Sequence, residues 1–221
     1  MRSNKFLKVL ILGMIFNFPF SIFNIVSASG VDTLFAAYPV PDSIFQRMQG
    51  RSFSKTCTLD RSELRYLRLS YCDKNGQMQQ GEMVCNEAIA KDLVDIFRQL
   101  YIARYKIERM QLIDDYDADD EHSMTANNTS CFNFRFISGT RKISKHGMGM
   151  AVDVNPFYNP YIVGNRVEPA QGRKWAFRRE QRKDIPMKID HSDLCYRLFT
   201  KHGFRWGGNW TNRKDYQHFE K

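Results

Sequence analysis

Ser144-Lys145-His146-Gly147-Met148-Gly149-Met150-Ala151-Val152-Asp153 is the most informative stretch of the chain. Side chains of a strand alternate between its two faces. From Met148 to Val154, therefore, Met148, Met150, Val152 and Val154 share one face, and Gly149, Ala151 and Asp153 take the other. An acid in an otherwise apolar strand, with only Gly and Ala beside it, sits in a hollow that another group can approach. A buried carboxylate needs a partner, and His146 lies seven residues earlier.

Upstream, Phe132-Asn133-Phe134-Arg135-Phe136 alternates in the same way, which predicts a strand with its aromatics on one face and Asn133 and Arg135 on the other. Leu64 to Tyr71 and Met83 to Cys85 flank the turn residues Asp73-Lys74-Asn75-Gly76, the pattern of a β-hairpin with a long loop. Ala88, Ile89, Leu93, Ile96, Phe97, Leu100 and Tyr101 recur at helical spacing, with Asn86 as N-cap. A short strand is expected at Met110 to Ile113, and a solvated acidic loop from Asp114 to Glu121, which lacks the ligand spacing and central Gly of a calcium loop. Asn155 to Met187 reads as a long loop carrying a solvated basic run from Arg173 to Lys183. A helix follows over Asp193 to Lys201, with Ser192 as N-cap and Gly203 as its stop. Ser29 to Thr58, with Pro39 and Pro41, reads as an irregular lead-in.

At the N-terminus, Arg2, Lys5 and Lys8 precede an apolar run from Val9 to Val26 that ends in Val26-Ser27-Ala28. A basic start, an apolar middle and a small-residue end make a secretory signal over residues 1–28, followed by the lead-in 29–58 and one domain over 59–221. Asn17, Pro19, Ser21 and Asn24 interrupt the run, so no stable membrane span is expected once it is removed. Whether it is cleaved or kept as an anchor stays open.

The 221 residues are 43% hydrophobic, enough for one sizeable core, and 17 Phe argue against disorder. The net charge of +9 draws partly on the three bases of the leader, and no nucleic-acid motif accompanies it. Cys57, Cys72, Cys85, Cys131 and Cys195 contain no Cys-x-x-Cys pair. Export permits disulfides. Cys72 with Cys85 is the first pairing to consider, five buried thiols the equal alternative.

The groups able to carry chemistry converge on zinc. His146, Asp153 and His218 supply two imidazoles and a carboxylate, a donor set that suits Zn²⁺ and leaves a fourth position for water. Asp215, three residues before His218, is placed to take a proton from that water and deliver it to a leaving amine.

The stretch 144–153 fits the Ser-x-His-x-x-Gly-x-Ala-x-Asp signature and so resembles the M15 metallopeptidases, the D-alanyl-D-alanine carboxypeptidase and dipeptidase group. Trp206-Gly207-Gly208-Asn209-Trp210 with Asp215-Tyr216-Gln217-His218-Phe219-Glu220 is similar to the family's second motif. Ser123 to Ser130, leading to Arg135, resembles an exported bacterial branch, and the likeness covers Leu64 to Glu220. The resemblance implies an α+β, hedgehog/D,D-peptidase-like fold: an antiparallel sheet with packed helices and one zinc ion on its open face. It implies His146, Asp153 and His218 as ligands, Asp215 as catalytic acid/base, and Arg135 at the substrate carbonyl or carboxylate. Ser144, which orients the first ligand loop or is merely structural, and Trp206 and Trp210, which line the cleft or pack in the core, are its candidate substrate-side residues. His122, His191 and His202 match no ligand position.

The expected substrate is a peptidoglycan stem peptide, met in the periplasm, cell envelope or surroundings of a bacterium. Most D,D-peptidases of the family carry Glu where this chain has Asp215, as the L-alanyl-D-glutamate endopeptidases do, so D,D-carboxypeptidase and endopeptidase both stay open. A non-catalytic, zinc-containing module that binds wall peptides is the alternative. Oligomeric state and physiological role are not legible.

Overall fold

Asn86 ends a strand and starts a helix, and much of the fold is arranged around that junction. Its side chain accepts a hydrogen bond from the Ala88 N–H at 3.0 Å, which caps the helix. The structure, a computed structural model, describes residues 34–137 and 139–221; the leader over residues 1–28 lies outside them. The hairpin is β2 (Leu64–Cys72) and β3 (Met78–Asn86), antiparallel from Leu64↔Asn86 to Cys72↔Met78. In its turn, Asp73 accepts from the backbone of Asn75 and Gln77, each at 2.9 Å.

The helix Glu87–Ile102 buries Ile89, Leu93, Ile96, Phe97 and Leu100 against the hairpin, the stripe its spacing predicts.

Three differences come from the ends and connections of the chain. The stretch 29–58 is not an irregular lead-in: β1 (Phe35–Pro39) pairs antiparallel with β2, and α1 (Asp42–Met48) buries Ile44 and Met48. The two prolines stand where proline is tolerated, one at the last residue of an edge strand and one at a helix N-cap. The helix Glu87–Ile102 is therefore α2. Met110 to Ile113 forms no strand; bridges occur at Lys106 and Arg109, and a 3-10 turn covers Ile113–Tyr116. α3 (Asp120–Thr125) follows, so the acidic stretch is partly helical, and its Asp114 is buried and bonded to the Ser52 N–H.

Phe132 to Phe136 forms no ladder, since its N–H groups bond to three separate segments, Phe132 to Val84, Asn133 to His146 and Phe134 to Ser52, before a single bridge, Phe136↔Ile143. Phe132 and Phe134 are buried while Phe136 is 44% exposed, because the chain leaves the core there.

A second sheet has the order β4 (Ala151–Asp153), β9 (His218–Glu220), β7 (Arg205–Trp206), and a third has β6 (Arg166–Glu168), β5 (Tyr161–Val163), β8 (Lys214–Asp215). The described residues are thus α+β, with three small antiparallel sheets in place of the single sheet expected. The strand predicted from Met148 starts only at Ala151, because the preceding residues wrap into a turn. The long loop contains β5, β6 and α4 (Arg173–Ala176).

Arg179 departs from the solvated run: it is buried, bonded to the carbonyls of Tyr158 and Ile189 and to Asn159, and stacked on Tyr216. α5 (Leu194–Lys201) is capped by Asp193 rather than Ser192, with the Asp193 carboxylate accepting from Cys195 N–H at 2.9 Å.

All five cysteines are free. Cys72 and Cys85 cannot meet, because they stand at opposite ends of the hairpin, across from Met78 and Arg65. No helix among the described residues is long and apolar enough to cross a membrane.

Candidate metal centre and its surroundings

His146 projects from the turn that leads into β4. The Ser144 hydroxyl accepts from the Gly147 N–H at 2.9 Å and closes that turn. The Nδ1 of His146 is 2.7 Å from the Cys131 carbonyl, which fixes Nδ1–H as the donor and leaves Nε2 as the free lone pair. Gly149 must be glycine: its φ is +67°, and a Cβ would lie 2.6 Å from the Asn86 nitrogen.

Asp153 closes β4 and stands directly opposite His218 in β9. Its Oδ2 is 3.2 Å from His146 Nε2, and its Oδ1 is 3.0 Å from His218 Nδ1. The two ring nitrogens are 3.1 Å apart. The ligand atoms of His146, Asp153 and His218 all lie within 4.8 Å of one another, and the two imidazoles are buried. The three residues that the spacing singled out are brought to one point by the turn and by the β4–β9 register. Burial opposes the charge of Asp153, yet the two histidines hold its carboxyl well below the usual carboxylate range. Burial likewise opposes charge on His218, but hydrogen bonds to Asp153 and Glu220 raise its pKa. A compact set of two imidazole nitrogens and a carboxylate, polarised in this way, fits a divalent ion such as Zn²⁺.

Asp215 lies on β8, opposite Tyr161 of β5. Its Oδ1 is buried with no hydrogen-bond partner. Burial, with the charge of Asp153 adding, lifts its pKa to about 7, against the pull of His218 and Arg135. The backbone of Gly207 packs against it so closely that a Cβ there would come 2.7 Å from the Asp215 Cβ and 3.3 Å from the His218 Cβ.

Arg135 is held from two sides. Its Nε donates to Asp120 at the start of α3, and one Nη donates to the Ser144 hydroxyl at 3.0 Å. Asn133 donates to the other oxygen of Asp120 at 3.0 Å, so Asn133 and Arg135 do face the same way.

Two of the candidate substrate-side residues lie inside the protein, Trp206 in the core and Ser144 in the ligand turn. Trp206 is 3% exposed, its ring packed with Phe219 and Tyr216 and its indole N–H bonded to the Tyr216 carbonyl, so it is core. Ser144 is buried too, and its hydroxyl holds the turn and Arg135 instead of facing outward. Trp210 is half-buried with its ring 5.4 Å from that of His218, beside the cluster, and Arg213 lies over it at 4.4 Å. His122, His191 and His202 stand apart, against Tyr116, Asn209 and Asp92.

Two residues escaped the sequence reading. Asp120 looked like one acid among several in a polar stretch. Glu220, whose Oε2 is 3.4 Å from His218 Nε2, was legible only through the period of two that puts it on the His218 face of β9.

No curated protein and no solved structure matches the chain. Residues 138–221 match the family model described as D-alanyl-D-alanine carboxypeptidase. The segment that carries His146, Asp153, Asp215 and His218 is thus similar to that peptidase family.

Proposed function

We propose that the chain is a zinc-dependent peptidase that hydrolyses peptidoglycan stem peptides outside the bacterial cytoplasm. The observation that carries this reading is Asp215, half-buried with its Oδ1 buried and unpartnered, in the field of Asp153 and His218 of the cluster and of Arg135. In this reading the α+β arrangement is the hedgehog/D,D-peptidase-like fold that the family implies, and residues 1–28 are the export signal.

His146, Asp153 and His218 would hold the ion. Bound there, Zn²⁺ supplies Lewis acidity, polarising a carbonyl oxygen and acidifying water. Asp215 handles the proton: a carboxyl poised near neutrality takes it from the attacking water at Oδ1 and returns it to the leaving amine. Arg135 keeps donors free beyond the two engaged by Asp120 and Ser144, and these steady the oxygen on which charge develops or the carboxylate of the peptide. Trp210 walls the cluster and limits water at the His218 side.

The test is hydrolysis of purified muropeptides, with and without zinc, read by mass spectrometry beside a His218→Ala control. Zinc- and His218-dependent loss of a terminal D-Ala identifies a D,D-carboxypeptidase. Release between L-Ala and D-Glu identifies an endopeptidase, the outcome to which Asp215 inclines. No cleavage of either bond by folded, zinc-loaded protein overturns the reading in favour of a binding module.

A further inference from the structure

Each histidine of the cluster uses one ring nitrogen toward its neighbours and keeps the other for an outer partner. For His146 the outer partner is the Cys131 carbonyl, a backbone group that no substitution removes. For His218 it is a side chain. Nδ1 of His218 faces Asp153 Oδ1 at 3.0 Å and His146 Nε2 at 3.1 Å, while Nε2 faces Glu220 Oε2 at 3.4 Å.

The β9 backbone permits this pairing, since His218 and Glu220 are two residues apart on one strand face. Arg205 stands opposite Glu220 in the register, and its Nη2 donates to the other carboxylate oxygen at 2.8 Å. The Glu220 side chain is only 14% exposed, whereas that of Arg205 is 72% exposed. Glu220 is thus fixed between a solvated guanidinium and a buried imidazole.

We propose that Glu220 is a positioning residue of the metal centre: its carboxylate holds the ring proton of His218 on Nε2 and so reserves the Nδ1 lone pair for a divalent cation. The inference rests on the zinc reading of the cluster. A ring nitrogen that binds a cation carries no proton, so the tautomer of His218 decides whether Nδ1 can serve. Without Glu220, Asp153 competes for that proton from the wrong side, at 3.0 Å. The carboxylate at Nε2 opposes this, and its charge also makes the ring a better donor. At 3.4 Å the contact acts through charge and direction more than through a strong bond.

The experiment measures zinc affinity of the intact chain, of Glu220→Gln and of Glu220→Ala by competition with a chelating dye, together with the melting temperature of each metal-free protein. Glu220→Ala is expected to weaken zinc binding by about 10–100-fold. Glu220→Gln, which keeps an acceptor oxygen but no charge, falls between, with the metal-free melting temperatures unchanged. Should the alanine variant not fold, the isosteric glutamine variant carries the comparison alone. Equal affinity in variants and unaltered chain overturns the proposal, as does a lowered metal-free melting temperature with affinity intact, the mark of a merely structural glutamate. An unaltered chain that binds no zinc overturns the zinc reading itself, a result distinct from either.

Discussion

Asp215 and Asp193 are both half-buried acids whose proton is held more tightly than in water, for different ends. Asp215 sits outside the three-residue cluster but in its field. Under the proposed chemistry Asp215→Asn keeps the shape and loses the proton relay, so muropeptide turnover is expected to fall by about 10²–10⁴-fold while zinc binding is retained. Parallel kinetics and metal titration check both halves. At Asp193, burial raises the carboxyl pKa to about 6 although Tyr105 and the Cys195 N–H donate to it. An unfolded Asp titrates near about 4, so the native chain binds this proton more tightly; the stabilisation is complete below about pH 4, is lost as pH rises to about 6, and stays lost above. Asn accepts the same capping bond without charge. Asp193→Asn is therefore expected to gain stability relative to the unaltered chain on passing from acid to neutral pH, as urea midpoints at the two ends will show.

The grouping of His146, Asp153 and His218 with Asp215 beside them was legible because the ligation and proton transfer proposed for them admit few residue types. Asp120 was not, because an acid that holds Arg135 has the same letters around it as one that faces water, and its partners come from 13 and 15 residues away.

At the scale of elements, local signals carried furthest. The hairpin and α2 needed only a turn, a cap and a stripe, all contained in Leu64 to Ile102. Phe132 to Phe136 alternates as a strand does, but a strand also needs a neighbour along its length, which sequence alternation does not supply. Pro39 and Pro41 misled in the other direction, since proline breaks elements from within and tolerates their ends. The turn carrying His146 depends on one backbone position. Gly149→Ala adds a Cβ at positive φ and against the Asn86 nitrogen, so a loss of about 1–3 kcal/mol is expected, read by chemical denaturation. Because that turn lies between two of the cluster residues, zinc affinity should fall with it.

For the whole molecule, β1 and α1 belong to the cores they cover. Phe35 packs with Leu67, Leu69 and α2, while Val40, Ile44 and Met48 pack with Leu64 and Phe132. A chain begun at residue 59 leaves β2 an open edge over an uncovered apolar face. It is expected to elute as aggregate in size-exclusion chromatography, where the chain begun at residue 29 elutes as a discrete species. The three-sheet plan was beyond sequence reading because the strands of its second and third sheets are two or three residues long, too short for any period to register.

That plan also divides labour. Asp153 and His218 ride on the β4–β9–β7 sheet, whereas Asp215 rides on β6–β5–β8, with Tyr216 and Gln217 between Asp215 and His218. Arg179, stacked on Tyr216, ties the link between Asp215 and His218 to the excursion that supplies β5 and β6. Under the proposed chemistry, grip on the ion and delivery of the proton are geared separately. Drift in residues 155–189 can retune how fast the enzyme works, or on which bond, while its hold on the metal is inherited unchanged.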